Sequence, residues 1–214
     1  MSVRICGALF GAISLLSACD AAGTNTPTQD ELTTTGFVLP SATGVINIGL
    51  QNNVNSRVAE TSLGSGSGYA FQTGAIPDEG LFAVAGLLPN STVTARPAGT
   101  ASYTGTYNLI AVDNIDYSGG FITGDQTPVN GNLTLLANFA SNTVISAPGS
   151  DLAVTGVVNG NDITGSVAYN GVAGNLDGLI GGNRAIGAFH GEGNVGPGTD
   201  DDYMYAGGFI ATRN

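Results

Sequence analysis

The sequence predicts an all-β protein whose C-terminal part is an eight-stranded antiparallel up-and-down β-barrel, preceded by a small β-rich N-terminal region. Three observations carry that expectation. Eight short runs with period-two alternation lie between Gly99 and Arg213. The 34 glycines punctuate such runs, often beside Asn or Asp, and Asn-Gly supplies the positive φ angles of tight hairpin turns. No convincing helical periodicity interrupts the strands. Eight antiparallel strands can close into a barrel just filled by side chains, and closure removes exposed edges. A β-sandwich of the same strands is the competing arrangement.

Taken from the N-terminus, residues 1–18 read as a lipoprotein signal peptide. Arg4 is followed by an apolar stretch from Ile5 to Leu16. As a helix, twelve residues span about 18 Å, too short for a bilayer core, so a cleavable export segment fits better than a transmembrane anchor. The stretch closes on Leu16-Ser17-Ala18-Cys19, which resembles the bacterial lipobox. That resemblance implies acylation of Cys19 and a membrane partner held through the lipid. The only other cysteine, Cys6, lies inside the segment to be removed. The mature chain is therefore expected to lack disulfides and thiolate metal sites.

Residues 19–35 read as an acylated flexible tether, rich in Thr and Ala without periodicity. Residues 36–97 form the small β-rich region, with strand-like runs at Gly44–Leu50, Gly68–Phe71 and Leu81–Gly86. Residues 98–214 form the barrel. Its runs are Thr100–Tyr107, Leu133–Phe139, Thr143–Ala147, Leu152–Val158, Ile163–Tyr169, Val172–Ile180, Ala185–His190 and Met204–Thr212. Asn159-Gly160-Asn161-Asp162 and Asn170-Gly171 mark two of the turns. Gly105, Gly165, Gly174 and Gly207 are placed inward, where tight curvature needs small residues.

Composition excludes some functions. The mature chain carries four arginines, no lysine and sixteen acids. Phosphate backbones would repel it, which excludes nucleic acid as a partner. The acidity serves solubility, and a ligand attracted by charge would be basic.

Gly99-Thr100-Ala101-Ser102-Tyr103-Thr104-Gly105-Thr106-Tyr107 resembles the opening strand of the transferrin-binding protein B-like β-barrel domain. Leu133 to Phe139 is similar to that family's second strand. Phe189-His190-Gly191 through Gly196-Pro197, then Ala206-Gly207-Gly208-Phe209, resembles its closing hairpin. The resemblance covers Gly99 to Arg213. It implies a barrel on a bacterial surface lipoprotein, with members binding host transferrin, complement regulators or haem proteins. Those ligand sites lie on variable loops and a handle domain, so no binding residue is carried over by the motifs.

The side-chain chemistry points away from an enzyme, and no cofactor or metal is expected. No Gly-x-Ser-x-Gly elbow, His-Glu-x-x-His helix or P-loop is present. His190, the single histidine, is read as structural, because it has no second histidine or cysteine to share a metal. Asp200-Asp201-Asp202 reads as a solvated hairpin loop rather than a calcium site, lacking the spaced acidic ladder of an EF-hand. Asp177, and the pair Asp113 and Asp116, raise carboxylate catalysis, which needs two acids facing across a cleft. The connection from Ala111 to Asn130 carries Tyr117 and Phe121, which either cap the barrel mouth or anchor a partner. The chain is thus expected to be a non-enzymatic cell-envelope binding protein, in the outer membrane rather than the inner, with a protein or small-molecule ligand. A periplasm-facing structural lipoprotein and a lipocalin-like carrier are the alternatives.

Overall fold

The computed structural model describes residues 33–46, 56–60, 67–76, 80–116, 123–194 and 202–214. Cys19, the signal segment and the tether up to residue 32 lie outside the described residues. So do residues 117–122 with Tyr117 and Phe121, and residues 195–201 with Asp200 and Asp201.

Twelve strands are described, and they form two sheets. The first is a four-stranded sheet of β1 (Thr33–Phe37), β2 (Ser56–Glu60), β3 (Tyr69–Ile76) and β4 (Gly80–Leu87), in the order β1-β4-β3-β2. β1 runs parallel to β4, with Thr33 opposite Leu81 and Phe37 opposite Ala85. It therefore begins inside the stretch that reads as tether. Three consecutive β-branched threonines suit a pleated strand once β4 offers a ladder to pair with.

The second sheet is a closed barrel of β5 (Thr100–Asp116), β6 (Thr123–Asn138), β7 (Thr143–Ser146), β8 (Ala153–Asn159), β9 (Asp162–Tyr169), β10 (Val172–Ile180), β11 (Arg184–Asn194) and β12 (Asp202–Arg213). β12 pairs with β5 and closes the ring. The β9–β10 turn is Asn170-Gly171, both at positive φ (48° and 81°), as a type I′ hairpin requires. In the β8–β9 turn Gly160 has φ 62° while Asn161 is not at positive φ, the type II′ pattern.

Two further expectations are corrected. The long connection from Ala111 to Asn130 is mostly strand: β5 runs to Asp116 and β6 starts at Thr123. Asp113, Asn114, Gly124, Asp125, Pro128 and Gly131 all read locally as turn residues. The long β5–β6 ladder overrides them, and the irregularity is confined to a register shift between Asp113 and Asp116, with Asn114 at φ 50°. The run Gly44–Leu50 is likewise no strand over its described part, where Val45 N bonds to Ser41 Oγ in a local turn.

The four glycines read as inward share their faces with buried interior residues. A Cβ on Gly105, Gly165, Gly174 or Gly207 would run into the backbone of a neighbouring strand. Others lie beneath rings. Tyr107 covers Gly131, Tyr205 covers Gly191 and Phe209 covers Gly187, each pair directly opposite in the ladder. Glycine density and aromatic placement thus describe one packing device, in which a ring folds over the space its partner leaves open.

β8 buries every second residue and exposes the rest. By contrast, β11 from Arg184 to Gly191 and β12 from Tyr203 to Phe209 are buried on both faces. The reason is the small sheet, which lies on their outer side. Tyr69, Phe71, Leu81, Ala83 and Ala85 pack there against Ile110, Val112, Ile186, Ala188, Met204 and Ala206. Strands covered twice read as continuous apolar runs.

The connection from the sheet to the barrel is fixed along the barrel's lower end. Arg184, only 7% exposed, donates from Nε (3.1 Å) and Nη2 (2.5 Å) to the Thr92 carbonyl. Asn183 Oδ1 accepts from Thr94 N at 3.0 Å, and Asn161 Nδ2 donates to Thr94 O at 3.1 Å. Arg184→Ala should cost about 2 kcal/mol, because it leaves a carbonyl without its charged donor. Chemical denaturation would read that loss, and hydrogen exchange should rise first at residues 91–97.

Candidate functional site

The barrel interior is built from buried side chains. Tyr103, Tyr107 and Leu109 from β5 meet Leu133 and Leu135 from β6, Val154 and Val158 from β8, Leu176 from β10, Phe189 from β11 and Phe209 from β12. At the lower end Tyr103 donates its hydroxyl to the Gly181 carbonyl at 2.7 Å. This is a packed core, each large side chain removing apolar surface worth roughly 2–3 kcal/mol from water.

The upper end is a tyrosine plug. Ring centroids of Tyr107 and Tyr169 are 6.4 Å apart, Tyr169 and Tyr205 6.1 Å, and Tyr203 and Tyr205 6.3 Å. Phe189 continues the cluster at 6.2 Å from Tyr205. Tyr205 donates its hydroxyl to the Val172 carbonyl at 3.1 Å. Alternation brings these residues together, since inward positions in the middle of β5, at the end of β9 and at the start of β12 converge there. Burial pushes the Tyr203 hydroxyl up to about 12, reinforced by the nearby Tyr169 and Asp113 and offset by a hydrogen bond with Asn170. Tyr107 is raised by burial, then by Tyr169 and Asp151, and Tyr169 by burial and then by the charge of Asp151.

Above this plug the walls are unequal. β5, β6, β11 and β12 continue past the Asn170-Gly171 turn, while β7 to β10 stop. β6 from Thr123 to Leu133 pairs with β5, and among the described residues no strand pairs its other edge. Pro128 sits within that edge, where its missing N–H weakens edge-to-edge pairing. Asp113 lies directly opposite Asp125, whose Oδ2 accepts from Asn114 Nδ2 at 2.9 Å. The projecting hairpin joins its two strands through residues 117–122.

The remaining sequence candidates are dispersed. Asp177 lies on the outer face of β10, opposite Thr164 and Ala188. Burial raises its carboxyl, offset by the Gly178 backbone and reinforced by Asp162. Asp113 faces Asp125, and the side chain of Asp116 is outside the described residues. His190 is buried beneath the small sheet, with the Phe37 ring against it in an edge contact at 4.7 Å. Among the described residues no three His, Cys, Asp or Glu side chains converge as a metal site.

Sequence reasoning missed the tyrosine plug as a unit: Tyr107, Tyr169 and Tyr205 stood within their runs, while Tyr203 fell just before the run that starts at Met204. It also missed the covered outer face. The available signal was the unbroken apolarity of Leu109–Val112, Ala185–Phe189 and Met204–Ala206.

No protein-family profile matches the chain, and no curated protein matches it. Among solved structures, the chain is similar to HpuA from Kingella denitrificans, determined in complex with human haemoglobin. Identity is 15%, coverage 72% of this chain and 59% of that one, and the TM-score 0.35. It is also similar to transferrin-binding protein B from Haemophilus parasuis, at 14% identity over 74% of this chain and 35% of that one, with a TM-score of 0.45. Intact Ap-TbpB, with N and C lobes, matches at 16% identity over 75% and 39%, with a TM-score of 0.45. The likeness is one of fold. The chain spans less than two thirds of the length of each of these proteins.

Proposed function

We propose that the protein is a non-enzymatic binding protein of the bacterial cell envelope, anchored by lipid on Cys19, that engages a protein ligand through the projecting β5–β6 hairpin. The filled interior carries this reading. A carrier of small ligands needs an enclosed cavity of some hundreds of Å³, whereas here tyrosines, phenylalanines and aliphatic residues occupy the barrel core. That packing favours binding at the surface. The hairpin extends past the rim and leads into the segment holding Tyr117 and Phe121. Aromatic side chains in a segment between two paired strands are suited to act as anchors in an interface. Aspartates at the same end favour a partner with a basic face. The resemblance of the strand motifs to the transferrin-binding protein B-like domain supports a protein ligand and an outer-membrane location.

Two experiments test the two halves of the proposal. Palmitate labelling should be lost in Cys19→Ala, with the protein leaving the membrane pellet for the soluble fraction; labelling that persists would remove the anchor. For the binding half, capture of partners should weaken at least about tenfold in the double variant Tyr117→Ala, Phe121→Ala, two anchors at more than about 1 kcal/mol each. Unchanged affinity would place the contact elsewhere.

A further inference from the structure

His190 is the single histidine of the chain, 6% exposed, and sits where the small sheet covers the barrel. Its neighbours on the same outer face of β11 are Ile186 and Ala188, both within the sheet–barrel core. The ring of Phe37 meets the imidazole edge-on, with centroids 4.7 Å apart and planes at 78°. Nδ1 of His190 is buried and has no hydrogen-bond partner. Thr73 Oγ1, on the barrel-facing side of β3 with Tyr69 and Phe71, also lacks one. The interface is therefore well packed but poorly satisfied in its polar groups, and such groups become costly once charged.

β1 is the element most exposed to that cost. It is five residues long, at the edge of its sheet, and among the described residues β4 is the one strand that pairs with it. Phe37 is its large apolar side chain, opposite Ala85 in the ladder and 43% exposed, so that its hold on the barrel is partial. We propose that Phe37 and His190 form an acid-sensitive latch, in which protonation of the imidazole releases β1 from the barrel.

The charges around the site set the direction. Glu192, two residues along β11, is exposed and favours the protonated ring. β10 places Asn175 opposite His190, with Asp177 two residues further on, and β12 places Ala206 opposite. β1 and β4 contain no titratable residue, and β3 contributes only Tyr69. Burial dominates and holds the imidazole below its ordinary value. The docked state therefore binds fewer protons than the released one. Docking is fully stabilised above about pH 6.5, the ordinary histidine value, and weakens as the pH falls towards the lowered one. Asp177, whose carboxyl is raised, acts with the opposite sign: acid favours its buried form, so it cannot produce the loss.

Hydrogen exchange on the full chain in detergent, corrected for intrinsic rates, tests the latch. Protection of residues 33–38 should fall by up to about tenfold per pH unit below pH 6.5, while β8 and β9 hold theirs. In His190→Phe the same segment should show no such dependence. Wild-type protection that is flat with pH, or an unchanged dependence in the variant, would overturn the proposal. Should His190→Phe fail to fold, the single imidazole resonance of the wild type serves instead. A midpoint below about 6.5 that tracks the opening of β1 is expected, and a midpoint at or above it would equally overturn the latch.

Discussion

Valine at Gly207 should cost about 4 kcal/mol or more, leaving a chain that barely folds, because native domains hold only about 5–15 kcal/mol in total. Gly207 lies on the inward face of β12 between Leu109 and Phe189 in the ladders. A Cβ there would strike the Asn108 carbonyl oxygen and come within 2.5 Å of Leu109 Cβ and 2.8 Å of its Cα. These atoms belong to the strand that closes the barrel, so relief requires moving backbone rather than rotating a side chain. The contrast is Gly36→Ala in β1, where nothing lies within 4 Å of the added carbon and φ is not in the left-handed region. That change should be neutral or stabilise by up to about 1 kcal/mol through the unfolded chain. Urea unfolding of the two variants beside wild type reads both effects. A small loss at Gly207 would mean that the barrel is wider there than its ladder implies.

The second large effect is expected at Tyr205. Its ring is fully buried, lies over Gly191, and contacts Tyr169, Tyr203 and Phe189. Tyr205→Ala should cost about 3–5 kcal/mol, as for other large aromatic truncations in a packed core. Tyr205→Phe keeps the ring but strips the Val172 carbonyl of its donor, for about 1–2 kcal/mol. The cluster also predicts the alkaline limit of stability. Tyr103, Tyr107, Tyr169, Tyr203 and Tyr205 are all raised above the ordinary tyrosine value, chiefly by burial. The unfolded chain therefore releases these protons first. The stabilisation is complete below about pH 10 and disappears as the pH rises towards about 12, the value of Tyr203. Tyrosinate absorbance should accordingly lag behind that of free tyrosine and then rise cooperatively with unfolding. A simple titration near pH 10 in the folded protein would contradict a closed plug.

Much of the barrel was legible because its determinants are local. Asn170-Gly171 specifies a two-residue turn whatever surrounds it, and β10 runs from Val172 to Ile180 as its alternation predicts. Along β8, where one face meets solvent, period two is clean. Reading failed where a non-local partner decides. Residues 111–116 and 123–130 carry turn-forming side chains but become strand because each supplies the other's ladder. β1 is a strand through β4, some fifty positions away in the chain. The candidate contact loop was visible as aromatics between two strands, yet its setting on a projecting hairpin depends on that same ladder.

By itself, then, the chain's order of residues determined the strand count of the barrel, the chemistry of its turns and the inward faces. Each of these depends on neighbours a few positions away, through backbone sterics or side-chain alternation. Only the tertiary structure decided that a second sheet covers β5, β11 and β12, that four tyrosines close one mouth, and that Phe37 seats against His190. Those outcomes join residues from distant strands, and they are selected by which apolar faces can be buried together once the barrel has closed.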